Sequence, residues 1–378
     1  MTGANQNVFS QCKDNRAVTE LGTPNSICII RLSAIGDVCH AVSAVQAIQR
    51  RYPQALMTWV IGKVEYDLVK GLPGVEFIVF DKRAGVRGYA ALRHSLRGRH
   101  FNVLLHMQVA LRANLVAAIV SADVKIGFDK ARAKEGHGWF ISRTIRAQQQ
   151  PHVLEGFAEF AATLGTDDAG PSWEMPYSAQ DEAWALQALE GRDKVFTIAP
   201  AASKAERNWT VEGYASLADH AAEKGYCIVL TGGPAQTELR LSYAIARKAT
   251  SNIINLVGQT SLKQLLCVLK HSDLLLAPDT GPAHMAVTVG TPVIGLYAHS
   301  NPRRTGPYGY LENVVEVYEE NLQVQHGGSV DSVRWGRRLK GANLMAEISV
   351  GRVRDMFDRV TEKLAAEDNP ATTPGMPR

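Results

Sequence analysis

The chain has 378 residues, more than one typical domain needs and enough for two lobes that each bury a core of their own. Hydrophobic residues make up 46% and charged residues 21%, a globular balance that excludes a disordered or coiled-coil body. No apolar run approaches the roughly 20 residues of a membrane-spanning helix, and the polar start MTGANQNVFSQCKDN lacks the apolar centre of a secretory signal, so a cytoplasmic protein is expected.

The first ~25 residues read as a flexible tail. From Ile27 onward, short β-branched runs alternate with longer amphipathic stretches, the rhythm of a parallel sheet wrapped by helices. ICIIRL, LMTWVI, VEFIVF and FNVLLHM predict strands, and VCHAVSAVQAIQRR and GYAALRHSLRG predict helices between them. HVLEGFAEFAATLG predicts a further helix, and the turn-rich TDDAGPSWEMPYS after it predicts the connection between lobes. The rhythm then restarts with KVFTIAP, YCIVLTGG, NIINL, DLLLAP and TPVIGLY. ISVGRVRDMFDRVTEKLAA has helical spacing, and EDNPATTPGMPR is polar and Pro-rich. The expected organisation is an N-terminal Rossmann-like lobe over residues 26–170 and a second over 171–345. A C-terminal helix over 346–366 is expected to pack back on the first lobe, ahead of a disordered tail at 367–378.

Net charge is +4, yet residues 82–146 hold thirteen Lys or Arg against Asp123, Asp129 and Glu135. So one-sided a field points to a polyanionic partner of the N-terminal half, the alternative being a solvated helix surface. Cys12, Cys28, Cys39, Cys227 and Cys267 are odd in number and scattered, which predicts free thiols in a reducing compartment. None has metal-ligand spacing, which removes zinc and iron–sulfur chemistry.

Ligands of open α/β sheets collect at the carboxyl ends of strands, and four such positions carry chemistry. In RLSAIGDVCHA, Gly36 allows close backbone approach, and Asp37 either caps the following helix or accepts a proton across a cleft. In LLLAPDTGPAHMA, backbone amides at Thr280, Gly281 and the next helical turn suit a diphosphate, with Asp279 beside them either capping the helix or serving sugar hydroxyls as an acceptor. His284 faces either the ligand or the core. In IAPAASKAERNWT, Ser203, Lys204 and Arg207 suit the charge of a departing nucleoside diphosphate, unless the segment is a plain surface loop. In LTGGPAQTE, Thr231, Gly232 and Gly233 let a nucleotide approach the backbone. The chain has no G-x-G-x-x-G after the first strand and no D-x-D triplet, which argues against a nicotinamide or flavin enzyme and against a metal grip on the diphosphate; no cofactor is expected.

These segments, D-T-G-P-A-H-M-A with T-P-V-I-G-L-Y above all, resemble glycosyltransferase family 9, the lipopolysaccharide heptosyltransferases, over about residues 27–364. The resemblance implies the GT-B fold, two Rossmann-like lobes facing across a cleft, and inverting transfer of heptose from ADP-L-glycero-D-manno-heptose to the Kdo/heptose inner core. It implies Asp37 as the base, and Ser203, Arg207 and neighbouring Lys204 at the diphosphate and ribose. It places Thr260 at the base edge, Gln236 or Glu238 near the ribose, Asp279 at the sugar hydroxyls, and Thr280, Gly281 and His284 at the phosphates. It is nearest the branch that adds the first heptose to Kdo on lipid A, in which Lys82, Arg83, Arg87 and Arg132 would contact the acceptor. Ala201 and Ala202 stand where that branch often has Thr, and HGGSVDSVRWGRRLKGANLM departs from both common branches. A monomer in peripheral contact with the cytoplasmic face of the inner membrane is expected, with a nucleotide sugar and an anionic lipid-linked saccharide as partners and no nucleic acid. The alternatives are a GT-B nucleotide-sugar epimerase, a transferase using another nucleotide sugar or a protein acceptor, a two-lobed solute-binding protein and a nucleic-acid binder.

Overall fold

Two parallel six-stranded sheets, each wrapped by helices, form the protein in a computed structural model that describes residues 22–166 and 170–368. The tails expected at 1–25 and 367–378 therefore lie almost wholly outside the described residues, as do residues 167–169 of the predicted connection.

The first sheet comprises β1 (Ser26–Ile30), β2 (Leu56–Gly62), β3 (Val75–Phe80), β4 (Phe101–His106), β5 (Ala122–Gly127) and β6 (Arg143–Thr144), ordered β3-β2-β1-β4-β5-β6. The second comprises β7 (Val195–Ile198), β8 (Cys227–Leu230), β9 (Ile253–Asn255), β10 (Leu274–Pro278), β11 (Val293–Tyr297) and β12 (Val314–Glu316), ordered β12-β11-β10-β7-β8-β9. Counted from its own first strand, each sheet runs 3-2-1-4-5-6, the doubly wound order whose crevice opens between the first and fourth strands. Strand periodicity explains the burial: Ile27 and Ile29 of β1 enter one core, and Cys28 and Ile30 enter another on the opposite face. The described cysteines are free thiols, with Cys28, Cys39 and Cys267 buried and Cys227 half-buried.

The helices are α1 (Ile35–Arg51), α2 (Lys63–Val69), α3 (Val86–Ser95), α4 (Leu111–Ile119), α5 (Val153–Thr163), α6 (Ala179–Ala188), α7 (Val211–Glu223), α8 (Gln236–Lys248), α9 (Leu262–Lys270), α10 (Gly281–Thr288), α11 (Pro302–Thr305), α12 (Tyr318–His326) and α13 (Val350–Asp368). The predicted strands all form, and β5, β6 and β12 are additional. These three lie toward sheet edges, where ADVKIG is only partly buried and the other two are two and three residues long, so none carries an apolar run.

One apolar cluster crosses from lobe to lobe. Val38, Ala41 and Val45 of α1 join Phe157 of α5, Leu266 of α9 and Ala283 and Met285 of α10 in it. Polar ties flank the seam: Trp335 Nε1 donates to Pro151 O at 2.8 Å, and Lys263 Nζ to Lys70 O at 2.6 Å. The connection itself is laid on α1, with Trp173 Nε1 donating to Cys39 O at 2.8 Å and Gln46 Nε2 to Glu174 O at 2.9 Å.

The C-terminal helix α13 does not return to the first lobe as expected. Val353, Phe357 and Val360, spaced on one helical face, enter the second-lobe core. The Phe357 ring meets Phe196 of β7 at 5.0 Å and Tyr226 at 5.4 Å, and Arg354 donates to Ser216 Oγ of α7 at 2.8 Å. The stripe finds its apolar complement next to its own sheet. Replacing Phe357 by Ala removes a fully buried ring and is expected to cost about 3–5 kcal/mol, read as a lower denaturant midpoint.

Candidate active site

The crevice positions of the two sheets face each other. The turn after β1 on one side, and the turns after β7, β8 and β10 on the other, line one cleft of about 1130 Å³. Asp37, Ser203, Lys204, Arg207, Thr231, Gly232, Gly233, Glu238, Thr260, Asp279, Thr280, Gly281 and His284 all line it. Gln236 opens α8 and is exposed outside the lining.

Two helix N-termini meet head to head at the cleft floor. A Cβ on Gly36 would overlap Cδ2 of the His284 ring, and one on Gly281 would lie 3.2 Å from Ile35 Cβ. Glycine at both positions is what lets α1 and α10 approach this closely. The first-turn amides of α10 open toward the cleft with the positive end of the helix, a local field suited to an anion.

Asp37 sits in the first turn of α1, where its carboxylate reaches back to Ala34 N at 3.5 Å and pairs with the Arg31 guanidinium. Capping and cleft-facing roles therefore coexist in one side chain. Arg31 is buried, donates to Met107 O at 2.7 Å and stacks over Phe157 at 5.3 Å. Burial presses its pKa down, and the Asp37 charge opposes that. On the other lobe, Asp279 accepts from Ser300 Oγ at 2.8 Å and lies 3.5 Å from Arg207 Nη1, while Arg207 Nη2 donates to Ser203 Oγ at 2.7 Å. Arg207 is thus a buried partner that holds Asp279 and Ser203, not an open surface cation. Thr280 Oγ1 donates to Ala201 O at 3.3 Å and joins the two donor-side turns, and Glu238 accepts from Gly233 N at 2.7 Å.

Several lining residues escaped sequence reasoning. Arg304 and Arg338 bring two guanidinium groups into the cleft. Burial lowers the Arg304 pKa, with Asp37 and Asp279 raising it and Arg338 and Arg334 lowering it, so Arg304 sits within the field of carboxylates from both lobes. The signal for it was NPRRT at the carboxyl end of β11; Arg338 lies in the segment that departs from the common branches. Glu65, after β2, lines the cleft with a pKa raised by burial and opposed by Lys82 and Arg31.

The basic residues expected at the acceptor are not gathered in the cleft. Lys82, Arg83 and Arg87 lie exposed on the turn after β3 and the start of α3. Arg132 is engaged elsewhere: it pairs with Asp129, bonds Gln148 Oε1 and Arg146 O at 3.2 Å each, and covers Phe128 at 5.3 Å.

Three imidazoles close the seam below the cleft. His40 lies 4.8 Å from His284 and 5.7 Å from His152, ring centre to ring centre. His152 caps α5 by accepting from Leu154 N at 3.1 Å through Nδ1, so its Nε2 carries the proton donated to Gly306 O at 2.9 Å. Burial lowers the pKa of all three, with His152 at about 4. Of the nine buried side-chain polar atoms without a partner among the described residues, four belong to cleft-lining His40, Arg207, Thr231 and His284. Unmet hydrogen-bonding capacity thus concentrates where a polar ligand would meet it. No three His, Cys, Asp or Glu converge as a metal site among the described residues.

Two doubly wound lobes that present a carboxylate and a helix N-terminus to a shared cleft have the architecture of a GT-B glycosyltransferase. A family model for glycosyltransferase family 9 (heptosyltransferase) matches residues 89–330, and the chain belongs to that family. It is 45% identical over 327 residues to the lipopolysaccharide core heptosyltransferase OpsX of Haemophilus influenzae, a match covering 86% of this chain and 94% of that one. Its fold is similar to the family 9 glycosyltransferase of Veillonella parvula (TM-score 0.76, 19% identity, 90% and 98% of the two chains) and to Escherichia coli heptosyltransferase WaaC with ADP (0.65, 21%, 89% and 98%). The protein is a heptosyltransferase.

The Gly36–His284 contact predicts that Gly36→Ala lowers stability by about 1–3 kcal/mol and that the loss shrinks in a His284→Ala background, where the methyl has room. Denaturant unfolding of the four proteins checks this. The buried histidines predict a pH dependence. Folded, the rings stay neutral; unfolded, they take protons below about pH 6.5. The unfolded state therefore binds more protons between that value and the lowered folded pKa values. Their contribution is fully present above pH 6.5 and lost as pH falls toward about 4, the value for His152. Melting temperatures between pH 7.5 and 5 are expected to fall with acidification, and less steeply in His152→Gln.

Proposed function

We propose that this heptosyltransferase moves heptose from ADP-L-glycero-D-manno-heptose to the Kdo/heptose inner core of lipopolysaccharide, inverting the anomeric centre and using no metal. The observation that carries the reading is the opposition of Asp37 and the α10 N-terminus across one cleft, with Arg304 in the field of both Asp37 and Asp279. The 45% identity to a lipopolysaccharide core heptosyltransferase supports the substrate class.

In this mechanism an acceptor hydroxyl attacks the anomeric carbon of the donor from the first-lobe side. The new C–O bond forms as the bond to the diphosphate oxygen breaks, and ADP departs on the second-lobe side with the bonding pair. The hydroxyl proton passes to the Asp37 carboxylate. Arg31 holds that carboxylate in place, and the hydroxyl gives up its proton as its oxygen bonds to carbon and becomes strongly acidic. The growing diphosphate charge is met by the amides at Thr280 and Gly281 and by Lys204, Arg304 and Arg338, which takes the place of a divalent ion. Asp279, held by Arg207 and Ser300, receives sugar hydroxyls, and Thr231, Gly232, Gly233, Glu238 and Thr260 surround the nucleoside. Lys82, Arg83 and Arg87 meet the acceptor's anionic groups. The enzyme works as a monomer at the cytoplasmic face of the inner membrane.

The test is incubation with ADP-heptose and a Kdo-bearing acceptor, with products analysed by mass. Asp37→Ala is expected to lower turnover about a hundredfold or more while ADP-heptose binding stays near wild type. Unchanged turnover removes Asp37 from the mechanism, and inhibition by chelator that magnesium reverses removes the metal-free reading.

A further inference from the structure

We infer that the carboxyl edge of the first lobe, around α4 and the turn at residues 136–140, is a docking face for an anionic lipid bilayer. The inference rests on the lipid-linked acceptor proposed above for its role, and on the surface itself for its evidence. Helix α4 buries Ala113, Asn114, Val116 and Ala117, yet its outer side is also apolar: Leu111 is 54% exposed and Leu115, one turn on, 43%. Trp139 is 89% exposed, its ring lying over Gly136 within 3.0 Å of where a Cβ would stand. The two elements adjoin, since Glu135 accepts from Leu111 N, and Asn114 Nδ2 donates to Glu135 O at 2.8 Å. Val86, 84% exposed, opens neighbouring α3. An indole and aliphatic side chains held in water on one face are costly in a monomer unless something apolar covers them.

The surrounding charge identifies the cover. Lys82, Arg83, Arg87, Arg112, Lys130 and Lys134 are all exposed on the turns and helix starts that bear these apolar groups. The neighbouring acids are turned to local work: Glu135 caps α4, Asp129 is buried against Arg132, and Asp81 accepts from Arg83 N at 2.8 Å. Apolar tips within a ring of cations suit a bilayer interface with anionic headgroups, where Trp is favoured at the headgroup level and each nearby cation adds attraction. A free anionic saccharide would use the cations and leave Trp139, Leu111 and Leu115 in water. The face also lies at the carboxyl edge of the sheet that carries Asp37, so docking would set the cleft mouth beside the membrane.

The full chain is mixed with vesicles of phosphatidylcholine alone or with added phosphatidylglycerol, without donor or acceptor, and bound protein is measured by sedimentation. Binding is expected only with phosphatidylglycerol, weaker at high salt. Leu115→Ser combined with Trp139→Ser is expected to reduce it about tenfold or more. The same double variant is expected to keep wild-type turnover on a deacylated, soluble acceptor and to lose turnover on acceptor embedded in vesicles. Equal binding to both vesicle types, wild-type binding by the double variant, or a dimer in light scattering that the variant dissociates each overturns the docking face. Vesicle binding that persists while no acceptor receives heptose leaves the face standing and rejects the proposed transfer instead.

Discussion

Contact between the N-termini of α1 and α10 governs the active-site geometry. Each is the first turn of a helix that follows the crevice of its own sheet, and glycine at 36 and 281 lets each turn seat a side chain of the other, the His284 ring on Gly36 and Ile35 on Gly281. The apolar cluster behind them, shared by both lobes, holds that contact. The consequence is chemical: Asp37 and the amides of α10 come to one cleft, and His284 lies in the field of both Asp37 and Asp279. A wider seam would separate Asp37 from the α10 amides and admit water between them.

Burial at this seam sets the charge states around it. The three imidazoles pack too deeply to hold a proton at neutral pH, which leaves the guanidinium groups as the cations of the floor. Those guanidinium groups divide their work. Arg31 and Arg207 are braced by backbone and side-chain partners and fix one carboxylate in each lobe, whereas Arg304 and Arg338 extend into the cleft itself. Ala201 and Ala202 bring no side-chain hydroxyl to the cleft, and the two cleft-lining arginines add positive charge to the same space. Departures from the common pattern at two distant places in the chain thus fall in a single cavity.

The first lobe carries two kinds of basic residue that composition could not separate. Arg132 covers an aromatic ring and bonds three partners, while Lys82, Arg83 and Arg87 stand in water on the rim. Their positions depend on which turns the sheet brings to its carboxyl edge, and on whether a neighbouring carboxylate or carbonyl lies within reach.

The order of apolar runs was enough to determine the strands at the centre of each sheet, because a strand covered on both faces must be apolar throughout. It also marked the turns after β1, β7, β8 and β10, which line one cleft, since a turn with glycine and a helix start at a strand end is a local feature. β5, next to an edge, and the short edge strands β6 and β12 were hidden because partly exposed or very short strands need no such run. Only the tertiary structure decided that α13 belongs to the second lobe, that Asp37 is paired with Arg31, that Arg207 is a buried brace, and that Arg304 and Arg338 join the cleft. Each of these depends on which surfaces meet across long stretches of chain, and burial and pairing are properties of that meeting, invisible in the neighbours along the sequence.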